Sequence, residues 1–146
     1  MIRLILAVLS LGLAAGAAQA QSPEENLRNI QRMLTSAGVP PASEERIAEL
    51  ALIAAAHPLG STANPVRATM PQGQRAYLQR LRCANGRAPS VERVGSVGES
   101  PYGNIMDHYA VDCRRSAPGR VDVYMDMYHF HVEEAPAPGF TIVPPR

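Results

Sequence analysis

The chain has 146 residues, 14 basic side chains against 13 acidic ones, and 46% hydrophobic residues. A near-zero net charge excludes the broad basic footprint of a nucleic-acid binder and a polybasic membrane patch. Every basic side chain is an arginine, since the sequence holds no lysine.

Residues 1–20, MIRLILAVLSLGLAAGAAQA, place Arg3 before an apolar run from Leu4 to Leu13 and end on Ala18-Gln19-Ala20. A short cationic start, an apolar stretch and a small-x-small site are the parts of a secretory signal peptide cleaved after Ala20. The run is shorter than the roughly 20 residues that span a bilayer, so no stable membrane insertion is expected after cleavage. The start is similar to that of bacterial exported proteins, which implies a periplasmic or extracellular location. Residues 21–146 then form one domain, within the common size range. The mature segment keeps thirteen arginines against thirteen acids.

Ser22-Pro23-Glu24-Glu25 opens a first helix with a capping box, and Leu27, Ile30, Leu34 and Ala37 share one face. Gly38 and Pro40-Pro41 stop it. Ser43-Glu44-Glu45 opens a second helix, whose LALIAAA end is apolar almost all round and reads as buried. Pro58 ends it by His57. The segment 58–74 reads as a long turn-rich connection, with a short edge strand at Val66-Ala68-Met70.

Gln74 to Cys83 reads as a strand, turned back through Asn85-Gly86 into a second strand from Val91 to Val97. Asn104 to Cys113 follows, then Val121 to His131 as one uninterrupted strand, and Phe140 to Val143 as a short last one. The expected fold is α+β: an N-terminal helical hairpin packed on a four- to five-stranded antiparallel sheet. Cys83 and Cys113 are expected to form a disulfide in an oxidising compartment. In a plain meander these cysteines would stand two strand spacings apart, about 9.6 Å, too far for the bond. The bond therefore requires neighbouring strands or cysteines beyond the paired region.

The Val121–His131 segment carries the sharpest chemistry. Alternation sets Met125, Met127, His129 and His131 on one side and Tyr124, Asp126 and Tyr128 on the other. Thioether and imidazole donors suit Cu(I), and imidazole suits Cu or Zn. The set is similar to the Met/His ligands of periplasmic copper-handling proteins, which implies a copper or zinc site there. The same methionines also fit an ordinary core. In outline, helices followed by a sheet bearing Arg and His also resemble small secreted bacterial ribonucleases. His108, His129 or His131, Glu92, Arg80 and Arg82 then stand as acid, base and phosphate-binding candidates. The neutral charge argues against a polyanionic substrate.

No hydrolase elbow, zinc-protease helix or Cys-x-x-Cys motif is present. The leading expectation is a non-enzymatic exported module that needs no cofactor. It would bind an envelope partner or a small ligand through 58–74 and the face bearing Tyr124, Asp126 and Tyr128.

Overall fold

The computed structural model describes residues 43–145 together with Glu25, Arg28, Asn29 and Arg32, which are helical. The signal-peptide reading of 1–20 and most of the first predicted helix lie outside the described residues. Helix α1 spans Glu44–Ala54, and the Ser43 hydroxyl accepts a hydrogen bond from the Arg46 N–H. Its apolar end is not sheltered by described residues: Ala54 is buried, but Leu52 and Ile53 are exposed.

A second helix, α2 (Met70–Arg80), occupies the stretch expected to be a strand. Gln74, Tyr77, Leu78 and Leu81 recur at i, i+3, i+4 and i+7, the spacing of one helical face. One polar member, Gln74, hides that period. Pro71 sits in the first turn, where its missing N–H costs nothing. Asn85-Gly86 therefore makes a local turn, with the Gly86 N–H donating to the Cys83 carbonyl, and not the predicted hairpin.

The strands are β1 (Val66–Thr69), β2 (Leu81–Arg82), β3 (Ser90–Glu99), β4 (Ile105–Asp112), β5 (Arg120–Asp126), β6 (Tyr128–Val132) and β7 (Thr141–Ile142). Five make one sheet in the order β3-β4-β5-β1-β6, and β2 pairs with β7. The fold is mixed α and β with a mostly antiparallel sheet. It departs from the expected all-antiparallel sheet because β1 runs parallel to β5, pairing Val66 with Met125 and Arg67 with Asp126. Nor is β1 an edge strand: β6 runs antiparallel along its other side.

The long strand predicted from Val121 to His131 is divided at Met127. There the chain arches over the end of β1 and returns as β6. The Met127 carbonyl accepts from the Met70 N–H across this arch. Met70 itself takes a φ of 58°, a conformation unfavourable for a side chain with a Cβ, at the abrupt change from β1 to α2. The Thr69 hydroxyl ties the same corner to β6, accepting from the His131 N–H at 3.1 Å.

The core lies between α2 and one face of the sheet. It joins Val66 and Ala68 of β1, Tyr77 and Leu78 of α2, and Tyr109, Val111, Val123 and Met125 of β4 and β5. Leu81 and Phe140 complete it. Tyr77 also holds the C-terminal segment, donating to the Ala135 carbonyl and accepting from the Ala137 N–H. Cys83 and Cys113 are bonded, with Cα atoms 5.8 Å apart. Cys83 follows β2 and Cys113 follows β4, so both lie just past paired strand, one of the two solutions the spacing allowed. No described helix is long and apolar enough to cross a membrane.

Candidate functional site

The predicted site residues are split by the pleat of the sheet. Met125 is fully buried on the helix-covered face. Asp126, the next residue, points to the opposite face and is also fully buried. Its carboxylate accepts from the Ser100 hydroxyl at 2.6 Å, the Asn104 amide at 3.1 Å and the Tyr128 N–H at 3.0 Å. His129 Nε2 stands 3.1 Å from Asp126 Oδ2, close enough to pair charges but off hydrogen-bond alignment. Burial opposes the charge on Asp126, but the contacts with His129, Ser100 and the Tyr128 N–H outweigh it and hold the carboxyl below its usual pKa.

This knot has a clear local purpose. The bond to the Tyr128 N–H closes the arch at Met127, and the bonds to Ser100 and Asn104 pin the β3–β4 turn onto it. Tyr102, in the same turn, packs edge-on against the His129 ring at 4.7 Å and lies 5.9 Å beneath the Arg67 guanidinium.

His131 follows on β6, with Nε2 3.4 Å from Glu133 Oε2. Burial and the nearby Arg67 hold it below the usual histidine pKa. The Nε2 atoms of His129 and His131 are both buried without a hydrogen-bond partner. Met127 sits in the arch, and Met125 faces away into the core, so the four predicted ligands are divided between environments. Among the described residues, no group of three or more His, Cys, Asp and Glu side chains is arranged to hold a metal. Of the predicted ligand-binding trio, Asp126 is consumed by the knot, while Tyr124 stacks on His108 at 4.9 Å and Tyr128 is half-buried.

The ribonuclease candidates are likewise dispersed. His108 pairs with Asp122 at 2.8 Å on the face away from α2. Arg80 is buried under the C-terminal segment, donating to the carbonyls of Val143 and Glu133. Arg82 donates to the carbonyls of Gln79 and Leu81.

The open concave surface lies elsewhere, around the disulfide. A groove of about 920 Å³ is bordered by Arg87, Arg114 and Arg115, with Asp112 and both cysteines in its wall. It meets a second groove of about 500 Å³ at Ala88 and Pro89, and this one is lined by Arg75, Leu78, Val91, Arg93 and Tyr109. Arg93 is fixed there by Asp107, 2.5 Å away. Burial works against the Asp107 charge, but hydrogen bonds from Arg93 and Ser96, with the Gln74 amide nearby, leave its pKa below the ordinary value. Asp112 accepts from the Arg114 backbone N–H at 2.6 Å. Arg75, Arg87, Arg114 and Arg115 have no ion pair among the described residues.

The near-neutral whole-chain charge gives no sign of these arginines. One signal was available: Arg87 and the pair Arg114-Arg115 flank the two cysteines, and a bond between Cys83 and Cys113 gathers them. No protein-family model, curated protein or solved structure matches this chain.

Proposed function

We propose that this protein is an exported, non-catalytic binding module of the bacterial envelope that holds an anionic group of a partner or small ligand in the arginine groove. One observation carries the reading: four arginines that make no ion pair among the described residues border two concavities that share Ala88 and Pro89. Guanidinium is a planar fork of donors suited to carboxylate and phosphate. Charges left without partners at a surface concavity are available to a ligand, and their mutual repulsion is relieved when an anion enters. The apolar floor of Leu78, Val91 and Pro89 adds contact area. Export is supported by the sequence of residues 1–20 and by the disulfide, which fits an oxidising compartment.

The test is titration of the oxidised protein with hexaglutamate and with tripolyphosphate, beside an Arg87→Gln, Arg114→Gln, Arg115→Gln variant. Saturable binding that weakens with salt and falls in the variant supports the reading. Absence of saturable binding to either anion at low salt removes it.

A second reading rests on the His129 and His131 Nε2 atoms, each buried beside a carboxylate without an aligned hydrogen bond. Zn(II) or Cu(I) at His129 and His131 would satisfy both, without the sulfur of Met125. Titration with each ion, compared with a His129→Ala, His131→Ala variant, decides it: equal or absent binding in the two proteins ends the metal proposal.

A further inference from the structure

The geometry points to a more specific occupant for the smaller groove: a short extended segment of a partner polypeptide, added as a strand beside the first half of β3, with an acidic side chain over Arg75 and Arg93. This rests on the anionic-ligand reading and sharpens it.

β3 is an edge strand of ten residues, none of them buried. An edge presents unpaired backbone donors and acceptors, and proteins protect such edges with bulges, charges or covering segments. In β3 the protection is uneven. Its register against β4 shifts between Arg93 and Gly95 and again between Val97 and Glu99. Bulges of this kind interrupt pairing along the far half. From Ser90 to Arg93 the register is regular, with Ser90, Val91, Glu92 and Arg93 opposite Asp112, Val111, Ala110 and Tyr109. This regular segment is the one that borders the grooves.

Alternation then sorts the contacts. Val91 and Arg93 lie on the same side as Tyr109 and line the smaller groove, whose other wall is α2 through Arg75, Leu78 and Gln79. Glu92 lies on the opposite side of β3. A strand laid against Ser90–Arg93 therefore places every second side chain over the groove. One such position meets Val91 and Leu78 and suits an apolar side chain. The next meets Arg75, which has no ion pair among the described residues, beside the Asp107-bound Arg93, and suits Asp or Glu. The intervening position lies beside Glu92, where another acid is repelled. Backbone pairing supplies affinity and the alternating positions supply selectivity, the physics of strand addition.

The experiment uses the oxidised, isotope-labelled protein and three acetylated, amidated peptides. The parent is Thr-Val-Thr-Asp-Thr, the second carries Asn in place of Asp, and the third keeps the Asp but is N-methylated at alternate amides so that it cannot pair as a strand. The parent is expected to bind saturably, shifting and protecting amides within residues 90–93. The Asn peptide, and the parent against Arg75→Gln, are expected to bind about tenfold more weakly, the loss of one charge-assisted contact. N-methylation is expected to abolish binding. Equal binding of the parent and N-methylated peptides would overturn strand addition while leaving the anionic groove intact. Tripolyphosphate binding without peptide binding would do the same, as would self-association through residues 90–93 with no peptide binding. No binding of peptide, hexaglutamate or tripolyphosphate would bring down both readings.

Discussion

Two regions of the molecule treat charge in opposite ways. Behind the sheet, Asp126 is fully buried and held by donors from two segments, the β3–β4 turn and the arch. In the adjoining grooves, Arg75, Arg87, Arg114 and Arg115 make no ion pair among the described residues, although Asp112 lies in the wall. A buried charge must be satisfied internally because water cannot reach it, and removing one partner leaves the others stranded. A surface charge is already satisfied by water and contributes little to folding. The first region is therefore where stability is concentrated, and the second is where charge is free to serve a ligand.

The largest effect should come from Asp126. Asp126→Ala strands the Ser100 hydroxyl, the Asn104 amide and the Tyr128 N–H, and is expected to cost about 3–5 kcal/mol by urea denaturation. Asp126→Asn, which keeps the shape and an acceptor oxygen, should lose less. A loss below about 1 kcal/mol for the alanine variant would mean the knot does not hold the arch.

Next comes the Cys83→Ser, Cys113→Ser variant, which touches both regions. The bond spans 30 residues. Its removal should cost about 3–4 kcal/mol in the chain-entropy description and should weaken anion binding, because it separates Arg87 from Arg114 and Arg115. Unchanged affinity in a folded variant would show that the groove does not depend on the bridge.

The groove arginines should behave in the reverse manner. Replacing Arg87, Arg114 and Arg115 by Gln should leave stability within about 0.5 kcal/mol, while anion affinity falls about tenfold or more. A large stability loss would assign these arginines to the fold.

The smallest effect is a change in pH dependence. Burial and Arg67 hold His131 below the ordinary histidine pKa. As pH falls from about 6.5, the unfolded chain takes up that proton first. Stability should therefore decline over this window and level off once native His131 is protonated. His131→Gln should flatten this part of the profile. The remaining loss, below the ordinary carboxylate range, belongs to Asp126 and Asp107. Both have depressed native pKa values, so their contribution is present at higher pH and is lost as pH falls through those values. An identical slope in the variant between neutral pH and pH 5 would assign the decline to another group.

Local chemistry settled several elements from sequence alone. Ser43 with Glu44 and Glu45 starts α1 because a side-chain acceptor and a dipole act within one turn. Alternation in 104–113 and 121–126 identifies β4 and β5 because side-chain direction follows the pleat, whereas the strand at 91–97 is read only as the return from Asn85-Gly86. Cys83 and Cys113 could be paired because only one bond is possible. Where local signals competed, the tertiary structure decided. Gln74, Tyr77, Leu78 and Leu81 satisfy a helix, and Tyr77, Leu81 and Cys83 also read as alternation. Packing against β1 and the hydrogen bond from Tyr109 to Gln74 favoured the helix.

The break at Met127 was invisible in a strictly alternating stretch. It is made by Asp126 reaching partners 22 and 26 residues away. The arginine groove was hidden for a related reason. Net charge is a sum over the chain and carries no positions. A disulfide and a sheet edge gather scattered arginines around adjoining grooves, with Asp112 the one acid in their lining. Sequence thus determines the periodicities, the caps and the single cysteine pair, because these act between near neighbours or admit one solution. Strand order, the arch and the location of unpaired charge depend on contacts between distant segments, and those exist only once the chain has folded.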